Sequence, residues 1–323
     1  MNVERTLTYH VDNGEGWEIC LTRVVDEHRF VPGRRPRRII PGYGMNSFIF
    51  TYHPSGVSMM DSLAAQGFEV WTVDMRTQGN ARRKGGSDRY QIADMACTDL
   101  QVAAQAILER SQTGADRVDG VGCSLGGTFL FVNVACRRDN LIGSIVSMGA
   151  PLRWEEVHPL FRVLFASPWL AGKVPMKGIR SLSALAFPLI LRMPWLTHFY
   201  VHPDHVDVST ADQLVRTVEN PNPALNRQLA EWMRDRDLTV DGINVSEAVS
   251  ESRNPLLTVV ANSDGIVPEP TVLSAHERFG STTKDILRVG DAEAKFAHAD
   301  LFISNFADEK VFQPMGAWLV AQN

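Results

Sequence analysis

The stretch Arg117-Val118-Asp119-Gly120-Val121-Gly122-Cys123-Ser124-Leu125-Gly126-Gly127 decides how the rest of the chain is read. Its first five residues have the composition of a short buried strand. The run Gly127-Thr128-Phe129-Leu130-Phe131-Val132-Asn133-Val134-Ala135 suits a tightly packed helix. Between them, Ser124 has glycine two positions away on each side. A strand that turns sharply into a helix at such a Gly-x-Ser-x-Gly lifts the serine oxygen clear of the backbone. It also points the helix N-terminus at any oxyanion formed there. A side chain at either glycine would strike the neighbouring strand or helix. The pattern predicts that Ser124 is a nucleophile and that the protein performs acyl chemistry.

Outward from this point, strands and helices alternate. Upstream, Asn13-Gly14 and the alternating Trp17–Val25 stretch predict an antiparallel strand pair. Arg38-Ile39-Ile40 is a short strand entering a glycine-rich loop, Ser58–Gln66 a short helix, and Glu69–Val73 a strand. Residues 91–110 carry apolar side chains at helical spacing. Downstream, Leu141–Met148 is a strand. The alternation lapses near Pro151 and resumes near Pro255 with the strand Leu256–Val260, the helix Thr271–Arg278, the strand Ile286–Val289 and the closing helix Lys310–Val320. Such alternation predicts an α/β fold with a mostly parallel sheet and helices on both faces. Residues 1–150 and 255–323 form its core. Residues 151–254, rich in proline and bulky apolar side chains, read as an inserted helical cap with Leu225–Trp232 as one helix. The most apolar piece, Leu182–Leu191, is too short to span a bilayer.

The composition is that of an ordinary globular protein: 323 residues, 44% hydrophobic and 21% charged, with net charge −5. The acidic balance gives no electrostatic case for nucleic acid. Arg34-Arg35-Pro36-Arg37-Arg38 and Arg82-Arg83-Lys84 read as solvated loops. Sparse cysteines (Cys20, Cys97, Cys123, Cys136), with no Cys-x-x-Cys pair, fit a reducing compartment. With no visible secretory signal, the expected location is the cytoplasm, without a membrane span.

A serine hydroxyl needs a base, and the base needs a group to orient it. His298 follows the last strand in Phe296-Ala297-His298-Ala299-Asp300, where small neighbours would let the imidazole enter a cleft. Asp264 follows the preceding strand in Asn262-Ser263-Asp264-Gly265. Parallel strands bring their C-terminal ends to one edge, so Ser124, Asp264 and His298 can converge there. Glu155 and Glu156, after the strand before that, are rival acids. Asp300 reads as a partner in a nearby salt bridge.

These residues resemble the α/β-hydrolase superfamily over nearly all of residues 30–323. Gly-Cys-Ser-Leu-Gly-Gly is similar to its nucleophile elbow, Asp264 to its acid and His298 to its base, in the order Ser, Asp, His. Asp74-Met75-Arg76-Thr77-Gln78-Gly79-Asn80 resembles a degraded Asp-x-Arg-Gly-x-Gly loop. The loop Pro41–Phe48 has proline where many members have His-Gly, and is similar to that of acid-lipase-like and polyhydroxyalkanoate-synthase-like members. The synthases use a cysteine nucleophile, whereas here Cys123 sits one place before Ser124. The resemblance implies an oxyanion hole made by the backbone N–H groups of Tyr43 and Leu125, with Gly44 as the alternative to Tyr43. Each such donor contributes roughly 3–4 kcal/mol of transition-state stabilisation.

Other motifs take simpler readings. His202-Pro203-Asp204-His205 reads as a surface loop, since proline excludes a helical His-x-x-x-His face. Gly120-x-Gly122-x-x-x-Gly126 imitates a dinucleotide loop, but it lies mid-chain and the next strand ends in Ser147-Met148-Gly149 without an acidic residue. No cofactor or metal is expected. Cys123 reads as a packing residue open to inhibitor attack. The expected activity is serine-dependent hydrolysis of a hydrophobic carboxylic ester. Acyl transfer by the same residues and non-catalytic ligand binding on the same fold are the alternatives.

Overall fold

The computed structural model describes residues 6–54, 56–172, 198–207, 211–220 and 222–323. Leu7–Asp12 (β1) and Trp17–Val24 (β2) form an antiparallel hairpin turned at Asn13-Gly14, with Tyr9 opposite Leu21 and Val11 opposite Ile19. The Asn13 carboxamide oxygen accepts the backbone N–H groups of Glu15 and Trp17, which closes that turn. Arg37–Ile40 (β3) then enters the sheet, followed by the helix Met59–Ala65 (α1), whose N-cap Ser58 accepts from Asp61 N.

Val70–Asp74 (β4) pairs antiparallel with β2 and parallel with β3, while the two-residue Arg82–Arg83 (β5) borders β2. The predicted helix over residues 91–110 is a π-helical stretch, Asp94–Asp99, running into Leu100–Arg110 (α2). Val118–Cys123 (β6), the helix Leu125–Cys136 (α3) and Ile142–Met148 (β7) follow.

Beyond β7 the chain leaves the sheet. Its described parts include one-turn helices at Pro159–Leu164 and Pro168–Ala171, and a long helix at Pro223–Asp235 (α4). The apolar run Leu182–Leu191 lies outside the described residues. Pro223 occupies the first turn of α4, and the Asn222 side chain accepts from Ala224 N, so the helix starts earlier than its apolar positions suggest. Leu225, Leu229 and Trp232 bury one face of it, and Trp232 meets Trp154 edge-on at 5.7 Å. A small hairpin, Thr239–Val240 (β8) with Ile243–Asn244 (β9), leads back to the sheet at Leu256–Ala261 (β10).

Glu269–Arg278 (α5), Lys284–Val289 (β11), a π turn at Asp308–Phe312 and Gln313–Ala321 (α6) complete the chain. The strand order is β1-β2-β4-β3-β6-β7-β10-β11, and every pair from β4 to β11 is parallel. Alternate side chains feed two cores. Ile40, Val118, Ile145 and Val260 pack under α2, α3 and α5, whereas Ile39, Val121, Val146 and Val259 pack under α1 and α6. This is an α/β-hydrolase fold, with helices on both faces of a mostly parallel sheet.

The basic cluster at residues 34–38 is not a solvated loop. Arg37 and Arg38 are fully buried in β3. Arg37 pairs with Asp119 at the start of β6, and Arg35 Nε reaches the same carboxylate at 2.7 Å. Arg38 donates to Leu100 O. Burial holds the Arg38 guanidinium down to about 9 and pushes Arg37 well below its usual value. The ion pair and the bonds to backbone carbonyls let this charge run sit inside the sheet.

Candidate active site

Ser124 stands between β6 and α3 with φ +53° and ψ −126°, a conformation that a non-glycine residue takes only where its surroundings impose it. Those surroundings are close. A Cβ at Gly122 would lie 2.4 Å from Gly127 Cα, and one at Gly126 would lie 2.3 Å from Ile40 O. Only glycine lets β6, α3 and β3 approach this tightly. Ser124 N donates to Met148 O at 2.8 Å, and its carbonyl accepts from Gly127 N at 2.9 Å. Leu125 opens α3, so its N–H belongs to the first turn, whose donors have no partner within the helix.

Asp264 follows β10. Its Oδ1 accepts the backbone N–H groups of Ile266 at 2.8 Å and Val267 at 2.9 Å, which fixes the carboxylate plane. Oδ2 is turned to His298 Nδ1 at 2.6 Å. Both side chains are almost wholly buried, at 1% and 4% exposure. Gly149, with φ +55°, ends β7 beside them, and a Cβ there would fall 3.1 Å from the imidazole. Since Ser124 N is bonded to Met148 O, the serine sits one residue from that glycine's own strand end. The loop after β3 closes the other side: a Cβ at Gly42 would lie 2.8 Å from Ser124 Cβ.

The structure therefore gathers Ser124, Asp264, His298, Leu125 and the Gly42–Tyr43 loop at one edge of the sheet. A sequence profile of the alpha/beta hydrolase family matches residues 39–300. The chain belongs to that family. Solved structures of other members share its fold. An esterase from Exiguobacterium antarcticum aligns over 97% of this chain and 100% of its own, with TM-score 0.64 and 13% identity. A soluble variant of monoglyceride lipase from Saccharomyces cerevisiae, bound to a substrate analogue, aligns over 100% and 96%, with TM-score 0.62 and 15% identity. The enol-lactonase from Burkholderia xenovorans LB400 aligns over 94% and 97%, with TM-score 0.62 and 12% identity. Comparison of the sequence with curated proteins gave no match.

Within this alpha/beta hydrolase several neighbouring groups differ from the sequence expectation. Among the described residues Asp300 forms no salt bridge. It is fully buried and accepts backbone N–H groups from Ala297 at 2.7 Å and His202 at 3.1 Å. Burial, helped by the nearby Asp264 charge, raises its carboxyl to about 7 against the pull of those two bonds. Glu155, the rival acid, is taken up by Arg153 at 2.8 Å and Arg278 at 3.6 Å. Cys123 is fully buried, its Sγ 3.8 Å from Met148 Sδ, and burial pushes the thiol well up. It is closed to attack, because its side chain points into the core under β7 rather than to the edge that Ser124 occupies.

The 202–205 segment is a 3₁₀ turn at Pro203–His205 whose rings pack against one another. His202 stacks on His198 at 4.4 Å and on His205 at 4.8 Å, and His205 rests on Phe296. Among the described residues no group of His, Cys, Asp or Glu is arranged to hold a metal ion. No helix among them is long and apolar enough to cross a membrane.

Sequence reasoning missed the groups that hold the Gly42–Ser47 loop. Asp74 Oδ1 accepts from Ser47 N at 2.8 Å and Oδ2 from Asn80 N at 3.0 Å. Gln78 Nε2 donates to Met45 O at 3.1 Å. Gly79 is required there, because a Cβ would lie 2.1 Å from the Asp74 carboxylate. The only available signal was the quoted Asp-x-Arg-Gly-x-Gly resemblance, which names the loop but not what it supports.

Proposed function

We propose that the protein is a serine hydrolase of carboxylic esters, with Ser124 as nucleophile, His298 as base and Asp264 as the acid that orients it. One observation carries this reading: His298 Nδ1 lies 2.6 Å from an Asp264 carboxylate already oriented by two backbone N–H groups. With its Nδ1–H committed to Asp264, the imidazole keeps Nε2 free to take the Ser124 proton. Ser124 then attacks the ester carbonyl, and the N–H groups of Tyr43 and Leu125 receive the developing oxyanion. His298 returns the proton to the leaving alcohol. Water, activated by the same imidazole, releases the acid from the acyl-enzyme.

We read the insert at residues 151–254 as a cap, and two of its described residues, Phe199 and Tyr200, lie at this edge. Phe199 packs against the acid loop, where a Cβ on Gly265 would lie 2.5 Å from its Cβ, and the Tyr200 ring lies 6.3 Å from that of His298. These rings favour a hydrophobic acyl or alcohol group. The esterase, lipase and lactonase among the similar structures support an ester as the bond cleaved. The loop at residues 41–48 supports the acid-lipase-like branch, and the cysteine content supports a cytoplasmic location.

A series of p-nitrophenyl esters from acetate to palmitate, run on wild type and Ser124→Ala, tests the assignment. Loss of turnover by a factor of about 10⁴ or more is expected, with an unchanged fold. Retained activity in Ser124→Ala rejects the nucleophile. Failure of the wild type to react with a fluorophosphonate points instead to a ligand-binding member of the fold, and ester products formed with added alcohols point to acyl transfer.

A further inference from the structure

The segment after the 3₁₀ turn Val215–Thr217 lies across the loop that follows β3 as a short antiparallel strap, with Val218 bridged to Met45. Asn46 N donates to Thr217 O at 3.0 Å, and Glu219 N donates to Gly44 O at 2.8 Å. Asn46 Nδ2 reaches Arg216 O at 2.9 Å. The Glu219 carboxylate then joins two loops of the sheet domain, because its Oε1 accepts from Asn46 Nδ2 at 2.5 Å and from Gly79 N at 3.0 Å. On the neighbouring α4, Asn226 Oδ1 accepts the Tyr43 hydroxyl.

The loop held in this way has little stiffness of its own. It contains Gly42 and Gly44, the latter at φ +65°. An oxyanion donor works only if its N–H is fixed where the charge develops, and small displacements lose most of the benefit. We propose that Glu219 is a positioning residue for turnover: through the strap it sets the place of the Tyr43 N–H, so the insert fixes the oxyanion hole as well as covering it. This inference rests on the reading of Ser124 as nucleophile and Tyr43 as oxyanion donor. Half-buried Glu219 suits the task because its backbone and its side chain grip the loop at separate points.

The test compares Glu219→Ala and Glu219→Gln with wild type on p-nitrophenyl butyrate, alongside hydrogen exchange of the amides of residues 43–47. In Glu219→Ala, kcat is expected to fall about tenfold or more, and KM to move by less than about twofold. Exchange at 43–47 should quicken. Glu219→Gln should recover most of the loss, since its carboxamide oxygen still accepts from Asn46 or Gly79. Combining Glu219→Ala with Asn46→Ala should cost little beyond the larger single effect, because the two act as one unit.

Wild-type kcat and exchange in Glu219→Ala overturn the proposal, as does a rise in KM alone. If Glu219→Ala does not fold, Asn46→Ala carries the same expectation. Fluorophosphonate labelling of wild-type Ser124 tests the underlying reading separately. The exchange measurement needs no turnover, so the two can fail independently.

Discussion

At the N-terminal ends of β3 and β6, Arg37 and Asp119 form a buried ion pair, joined from the side by Arg35 and covered by the carbonyls of Leu319 and Gln322. At the C-terminal ends of the same strands lie Gly42, Tyr43 and Ser124, close to a second buried pair, Asp264 with His298. In the first pair the carboxylate is fully used: Asp119 accepts from Arg35, from Arg37 and from Ser144 N, the last at 2.7 Å. The Arg37 guanidinium stacks on Phe68 at 4.1 Å, while its Nε has no hydrogen-bond partner among the described residues. In the second pair the imidazole meets Asp264 through Nδ1 alone, and the proposed function assigns its other nitrogen to the Ser124 proton. Both pairs bear the cost of taking charge out of water. The first joins two strands; the second, on the proposed function, poises a proton.

Three changes would sharpen that contrast. The largest effect is expected from Asp264→Asn, which should lower kcat by about 10⁴-fold by favouring the wrong imidazole tautomer, with a melting temperature near that of wild type. Next comes Asp119→Ala, which strands Arg37 in the core. Denaturant titration should show a loss of about 3–5 kcal/mol, while kcat per folded molecule stays at the wild-type level. Replacing both partners by apolar residues (Arg37→Met with Asp119→Leu) should recover most of that loss. A fall in kcat equal to that of Asp264→Asn would erase the distinction between the two ends.

Per pH unit, the smallest effect concerns Asp300. Its folded carboxyl titrates at about 7, above its unfolded value, so the stability it contributes is full below pH 4 and is lost as pH rises through 7. Melting temperatures measured from pH 4 to 8 should therefore decline in wild type. Asp300→Asn should flatten the decline, by at most about 1.4 kcal/mol per pH unit. An unchanged slope in Asp300→Asn would assign the decline to other groups.

The sheet and its elbow were legible because each rests on local pattern. Gly122 and Gly126 announce a close approach, and Asp264 and His298 each follow an apolar run recognisable as a strand. What the pattern concealed depends on contacts between distant parts of the chain. Arg37 and Arg38 read as a solvated charge run because nothing nearby reveals Asp119 or Leu100 as partners. Asp300 read as a partner in a nearby salt bridge because its acceptor role toward His202 N spans nearly a hundred residues. Glu219 lies in an irregular segment with no periodicity, and its bonds to Asn46 and Gly79 exist only in the folded chain.

The bridge between Met45 and Val218 also bears on how members of such a family can exchange parts. On the proposed function and the proposed role of Glu219, a foreign insert grafted between β7 and β10 would bring its own substrate walls, yet it would break the seam with Asn46, Gly79 and Tyr43. Transplanted specificity would then arrive with slow turnover unless those three residues were adapted together with the graft. Recombination and directed evolution should therefore treat the loop after β3 and residues 215–226 as one inherited unit.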